Sequence, residues 1–215
     1  WVYARYAAPA LGPSLHRHAI EWVKANVTPE ASILDLGCGA GHFALRLGEE
    51  VPGSHVTGAD PSSQMIRRAL GTRGDFRYVS VRFVLAPAEE LPFSNGSFDA
   101  VVSLVSIKHW KDRKAGLAEA SRVLRPGGKL YVAEIDPGRK GPELDSFLSR
   151  LPWPLRGGFT STVQPQGVAL SECRRLVEGA GFEGIQEGTY EDFPGFFVAG
   201  NKPKPPAPPA PPKAS

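Results

Sequence analysis

Apolar and polar positions change period several times along this chain, and each change marks an element. Between residues 14 and 27, Leu15, Ile20, Trp22, Val23 and Val27 recur at loosely helical spacing, which predicts a helix lying across a sheet ahead of its first strand. Residues 31–36 form a short apolar run that reads as a buried strand, and a helical period follows over 41–50. A strand over 55–60 and a helix over 62–70 repeat the alternation, and further strands fit Arg82–Ala86 and Phe98–Leu104. The spacing then predicts a helix over 113–124. It stops at Arg125-Pro126-Gly127-Gly128, where Pro then Gly suits the two central positions of a type II turn, and a fifth strand follows over 129–135. Strands alternating with helices in this way imply an α/β fold, a mostly parallel sheet covered on both faces.

After Pro137 the rhythm breaks. Residues 138–167, with Trp153, a Gly157-Gly158 pair and Phe159, have no clear period. A helix over 168–180 ends at Gly181, and strands over 182–190 and 195–201 have so short a link that they must pair antiparallel. From Lys202 to Ser215 proline dominates. Such a segment lacks the donors and apolar bulk to join a core and reads as an extended, disordered polyproline II tail. Its Pro205 and Pro208 match a P-x-x-P ligand for an aromatic groove, against the plainer reading of a passive spacer.

Composition narrows the class. A chain of 215 residues with 41% hydrophobic content can bury one substantial core, which favours a single domain over 1–201 followed by the tail. No run of about 18 apolar residues is present, so no membrane span is expected. The first residue is Trp1 rather than Met, which reads as a trimmed chain. Cys38 and Cys173 have no metal or disulfide spacing and read as unpaired thiols in a reducing compartment, hence a cytoplasmic location. The net charge of +3 is spread through the body, so it names no nucleic-acid partner and leaves oligomeric state open. No acid and histidine cluster has convincing metal spacing, and no metal is expected.

Residues 33–44, Ile-Leu-Asp-Leu-Gly-Cys-Gly-Ala-Gly-His-Phe-Ala, carry the candidate chemistry: a strand running through alternating glycines into a helix, with Asp35 just ahead of Gly37. Glycines let backbone approach a ligand closely, and the helix turns unpaired N–H groups and its positive dipole end toward the same space. A dinucleotide fingerprint would be G-x-G-x-x-G, but Gly37, Gly39 and Gly41 leave His42 where the last glycine belongs. Asp35 would repel a pyrophosphate and suit an ammonium group. The segment resembles motif I of the class I S-adenosylmethionine-dependent methyltransferases. That resemblance, over roughly residues 15–201, implies a Rossmann-like seven-stranded sheet of order 3-2-1-4-5-7-6 with strand 7 antiparallel. It also implies S-adenosyl-L-methionine as cofactor and S-adenosyl-L-homocysteine as product. In the family the glycine loop, here Gly37, Cys38, Gly39 and Gly41, wraps the methionine moiety, and the acid serves its amino group.

Further positions fit the same resemblance. Asp60 ends the second strand about 20 residues beyond the loop, where an acid takes ribose hydroxyls; Asp60-Pro61-Ser62 is also a good helix start. Met65 matches a position that packs on adenine in the family, although by itself it would be core. Ala86-Pro87-Ala88-Glu89-Glu90-Leu91-Pro92-Phe93 resembles the family's segment Gly-Asp-Ala-Glu-x-Leu-Pro-Phe. Here Pro87 stands where the adenine-binding acid is usual, so adenine recognition passes to backbone near Ala88 and Glu89 or to the Glu89 carboxylate. Ser103 is expected beside the methionine end through its backbone, and Tyr3 and Tyr6 over the cofactor. His109, in the Lys108-His109-Trp110 loop, is the candidate general base, with packing or cofactor shielding as its other reading; Trp110 reads as pocket wall.

The fourth strand lacks the Asn/Asp-Pro-Pro-Tyr pattern that grips planar amino groups of nucleic acids and glutamine. The resemblance therefore implies a methyltransferase acting on a small molecule, similar to quinone-biosynthesis and natural-product enzymes, by in-line displacement, with 138–167 and the N-terminus as acceptor lid. Two alternatives stand beside it. One is a catalytically inactive cofactor-binding subunit; the other is a nicotinamide-dependent dehydrogenase, which the loop's charge and glycine spacing oppose.

Overall fold

The computed structural model describes residues 13–72 and 80–205; Tyr3, Tyr6 and Pro208 lie outside them. A helix, α1 (Pro13–Asn26), precedes β1 (Ser32–Leu36), α2 (His42–Glu50), β2 (His55–Asp60), α3 (Ser63–Thr72) and β3 (Val81–Leu85). Then come β4 (Phe98–Leu104), a 3-10 turn over Ile107–His109, α4 (Arg113–Val123) and β5 (Leu124–Ile135). The chain closes with α5 (Pro142–Ser149), α6 (Trp153–Gly158), α7 (Leu170–Gly179), β6 (Glu183–Thr189) and β7 (Gly195–Asn201).

Seven strands form one sheet in the order β3-β2-β1-β4-β5-β7-β6. The first five pair in parallel, and β7 runs antiparallel to both β5 and β6. The order expected from the resemblance is the order observed. Sequence neighbours β3 and β4 end far apart, so the chain reverses direction about β1 and β4, and the crevice at that switch point is where open α/β sheets bind ligands.

Alternation along β1 divides the core. Ile33 packs with Leu15, Ile20 and Val23 of α1 and Leu45 of α2 on one face. Leu34 and Leu36 pack with Leu117, Ala120 and Val123 of α4 and Cys173 and Val177 of α7 on the other. Truncating a fully buried residue such as Leu45 to alanine costs about 2–5 kcal/mol in such a core.

Two details differ from expectation. Strand β5 begins at Leu124 rather than 129: Leu124 pairs with Phe98 and Lys129 with Ala100, so residues 125–128 bulge out as a turn inside the strand. Gly127, at φ +80°, takes the left-handed position that the Pro-Gly pair prescribes. The 138–167 stretch holds α5 and α6 and a π-helical turn at Phe159–Val163, where no regular period was evident. Its Phe147 and Phe159 pack with ring centroids 4.5 Å apart in a tilted arrangement and bury against the α1 side of the core. No helix among the described residues is long and apolar enough to cross a membrane.

Candidate active site

A cavity of about 720 Å³ opens over the carboxyl ends of β1, β2 and β4, within the size range of small-molecule sites. Asp35 lies at its base. It shares a face of β1 with Ile33 and is 2% exposed. Its Oδ2 has no hydrogen-bond partner among the described residues. Burial, and then the nearby Asp60 carboxylate, push the Asp35 pKa up to about 8, with the Ala44 backbone N–H acting the other way. A buried carboxylate left without a partner is costly, and a bound cation with N–H groups removes the cost.

The loop after β1 is pinned from β2. Gly37 and Cys38 both donate their N–H groups to the Ala59 carbonyl, at 2.8 and 3.0 Å. Gly37 sits at φ +83°, and a Cβ there would collide with the Ser106 side chain. Only glycine lets the β1 and β4 loops close to this distance. Gly39 faces open space, whereas a Cβ on Gly41 would fall 2.6 Å from the Phe83 ring. Gly41 is therefore a packing position and does not line the cavity, unlike Gly37, Cys38 and Gly39. Burial and the two nearby aspartates raise the Cys38 pKa, so its thiol stays protonated.

Asp60 ends β2 and accepts from two backbone N–H groups, Gly39 at 2.9 Å to Oδ2 and Ser62 at 2.8 Å to Oδ1. It thus ties down the glycine loop and the start of α3 together. Each oxygen keeps a further lone pair, and the residue lines the cavity with Pro61 and Met65. Across from them lie Ala86, Pro87, Ala88 and Glu89. Glu89 spends Oε1 on the Asp112 N–H, at 3.0 Å. Asp112 in turn caps α4 by accepting from the Lys114 and Ala115 N–H groups.

The exit from β4 is unusual. Val105, a β-branched residue, adopts φ +55°, a conformation that costs on the order of 1–3 kcal/mol. Its N–H donates to the Ala133 carbonyl at 2.8 Å, and its carbonyl accepts from Lys108 Nζ at 3.2 Å. Lys108 Nζ also pairs with Glu134 Oε1 at 2.8 Å, the two side chains being 2% and 0% exposed. Glu134 further accepts the Lys108 and Ile135 N–H groups. This clamp presents Ser106, His109 and Trp110 to the cavity, with Trp110 Nε1 donating to Ser106 Oγ at 3.0 Å. Burial, then Lys108, lower the His109 pKa below its ordinary value, so the ring is neutral at neutral pH.

The structure thus brings Asp35, Gly37, Cys38, Gly39, Asp60, Pro61, Met65, Pro87, Ala88, Glu89 and His109 to one cavity. Ser103, expected beside the methionine end through its backbone, has its side chain fully buried in β4, and the cavity lining on that strand begins one residue later at Leu104. Tyr6 lies outside the described residues. No residue of 138–167 lines the cavity. Ser106 and a wall of His16 from α1 with His42, Phe43 and Arg46 from α2 line it without having been singled out in the sequence. Helical spacing places Phe43 and Arg46 one turn past the glycines, but α1 reaches the site only through tertiary packing. Among the described residues no group of three or more acids, cysteines or histidines is arranged to hold a metal ion.

Two carboxylates within electrostatic reach, one with an orphaned buried oxygen, stand beside a loop closed by glycine, an arrangement whose chemistry suits a cation bearing N–H groups. With the 3-2-1-4-5-7-6 sheet they define the Rossmann-like methyltransferase class. Residues 34–132 match the family described as "Methyltransferase domain". A demethylmenaquinone methyltransferase of Thermus thermophilus is 44% identical over 112 residues, 51% of this chain and 49% of that protein. An O-methyltransferase of Aspergillus nomiae is 31% identical over 166 residues, 76% of this chain and 69% of that protein. A SAM-dependent methyltransferase from Aquifex aeolicus superposes with a TM-score of 0.67 at 17% identity, covering 89% of this chain and 90% of that one. The chain belongs to the class I S-adenosylmethionine-dependent methyltransferases. It spans about half the length of the Thermus relative.

Proposed function

We propose that the cavity binds S-adenosyl-L-methionine and that the protein transfers its methyl group to a small-molecule acceptor by in-line displacement. The observation that carries this reading is buried Asp35, whose Oδ2 has no partner among the described residues, beside Asp60, since a cation with hydrogen-bond donors satisfies that oxygen and offsets the repulsion between the two carboxylates. Asp35 takes the amino group, and the free lone pairs of Asp60 take the ribose hydroxyls. Met65 and Pro87 enclose the adenine, and backbone groups near Ala88 and Glu89 select its edge. When bound, the cofactor supplies a methyl group already activated by its sulfonium. The chain's work is then alignment and exclusion of water, with Trp110 and Val105 as walls. A neutral His109 accepts the acceptor's proton when that acceptor is an alcohol or phenol. The two unpaired cysteines favour a cytoplasmic setting.

The test is calorimetric titration with S-adenosylmethionine and NAD(P), followed by labelled-methyl transfer to a panel of phenols, hydroquinones and amines. Binding of the sulfonium nucleoside alone, with transfer to at least one phenol or hydroquinone, is expected. Tight binding with no transfer to any acceptor, including intermediates supplied from the native host's extracts, would reduce the protein to a binding subunit. Binding of NAD(P) alone would overturn the reading.

A further inference from the structure

The cavity is electrically divided. Among the described residues its lining carboxylates are Asp35, Asp60 and Glu89, which stand at or just past the ends of β1, β2 and β3. The wall made by α1 and α2 contributes no carboxylate to the cavity, only His16, His42, Phe43 and Arg46. His109 and Lys111 line it from the β4 side, so no acid faces that wall from the β4 loop either.

Arg46 donates one Nη2 contact to Glu50 Oε1 at 3.1 Å, and Glu50 shares its other oxygen with Lys24 at 3.2 Å. Lys24 is also held by Glu21 at 3.0 Å, so Glu50 is not left to Arg46 alone, and the rest of the guanidinium fork has no partner among the described residues. The Arg46 charge is felt at His16, whose pKa burial, Arg46 and His42 together lower to about 4. His16 is thus a neutral imidazole, able to donate or accept one hydrogen bond at the cavity edge. Its ring lies 5.4 Å from that of buried Phe43, tilted by 49°, so the same wall carries two adjoining aromatic faces.

We propose that Arg46, His16 and His42 form the acceptor subsite and select a planar acceptor bearing an anionic oxygen, a carboxylate or an ionised phenol or enol. This rests on the cofactor reading above, which uses the opposite, acidic wall. Phe43 and His16 take the face of the acceptor ring, and Arg46 takes the oxygen in a charge-assisted contact, which is roughly twice as strong as a neutral one. A cation beside a phenol also favours its ionised, more nucleophilic form.

The test uses the protein saturated with S-adenosylhomocysteine and matched probe pairs. One pair set is 4-hydroxybenzoate and 3,4-dihydroxybenzoate against their methyl esters; the other is ionised 4-nitrophenol against 4-nitroanisole. Wild type is expected to bind the anion of at least one pair about tenfold or more tightly than its neutral partner, in line with a charged hydrogen bond. Arg46→Met abolishes that preference, Arg46→Lys keeps part of it, and both bind S-adenosylhomocysteine as wild type does. Carboxylate pairs and the phenol pair distinguish the two kinds of anion. Equal binding of anion and neutral partner in every pair overturns the proposal while leaving the cofactor reading intact. Loss of S-adenosylhomocysteine affinity in Arg46→Met, with 5′-methylthioadenosine binding unchanged, assigns the arginine to the cofactor's own carboxylate and also overturns it. Failure of wild type to bind S-adenosylhomocysteine at all is instead a failure of the cofactor reading.

Discussion

Lys108 and Glu134 form an ion pair at 2.8 Å that is almost sealed from solvent, and the same lysine ammonium holds the carbonyl of the strained Val105. Removing one partner leaves the other charge buried alone, so Lys108→Met is expected to cost about 3–5 kcal/mol of stability. The double variant Lys108→Met/Glu134→Leu replaces both charges with apolar groups and should recover most of that loss in a denaturant titration. It loses the hold on Val105, however, and its affinity for S-adenosylhomocysteine should stay at least about tenfold below wild type. A double variant that binds as wild type would make the pair a stability element only.

Gly37 and Ser106 are coupled by contact. Gly37→Ala places a methyl group on the Ser106 hydroxyl at a backbone conformation that disfavours any side chain. A loss of about 1–3 kcal/mol is expected, together with weaker cofactor binding. Ser106→Gly in the same chain removes the collision and not the backbone strain, so thermal denaturation should show partial rescue. Rescue would be absent if the loops met elsewhere.

The raised Asp35 pKa makes stability and binding respond oppositely to pH. In the unfolded chain this group titrates near its ordinary value of 3.8, and in the folded protein near about 8. The folded form therefore holds the proton more tightly, and that contribution to stability is complete below about pH 4 and lost as pH rises toward about 8. Asp35→Asn should flatten the decline and raise the ligand-free Tm at alkaline pH by at least about 3 °C, the effect of roughly 1 kcal/mol in a domain of this size. Affinity for the amino-bearing cofactor needs the ionised carboxylate. It should increase over the same pH range in wild type and remain flat in the variant.

His109 is the base for proton-bearing acceptors in this account. Because its pKa is lowered, the acid limb of the pH–rate profile should fall below the ordinary histidine value of 6.5. His109→Gln is expected to lower kcat for a phenol about 10²–10⁴-fold and to remove that limb, with S-adenosylhomocysteine binding little changed. An unchanged profile would assign the ring to the pocket wall.

Much of the architecture was legible in the sequence because local pattern and tertiary role agree. The 31–36 apolar run and the Pro126-Gly127 turn each specify their own conformation, and the structure places them accordingly. The final strand order was legible only through the family resemblance. Period alone does not say that β7 inserts between β5 and β6. The acidic side of the candidate site was readable for a related reason: Asp35, Gly37 and Asp60 sit at strand ends, and the fold brings strand ends together. The side chain that reaches the cavity from the β4 exit is Ser106, two residues past the strand end, whereas the Ser103 side chain is buried within the strand. The basic wall was not readable, since His16 joins Arg46 only when α1 packs across the sheet. Val105 gave no warning either: nothing in a valine announces a positive φ, which the surrounding hydrogen bonds impose.

The central claim, that Asp35 grips the amino end of a sulfonium nucleoside, is tested most directly by comparing two ligands on two proteins. S-adenosylhomocysteine carries the amino acid arm, and 5′-methylthioadenosine lacks it. Calorimetry should show wild type preferring the former by about 100-fold or more, as expected for filling a buried, unpaired carboxylate, and Asp35→Asn losing most of that preference while binding 5′-methylthioadenosine nearly as well as wild type. Equal preference in the two proteins, or no binding of either nucleoside to wild type, would contradict the account.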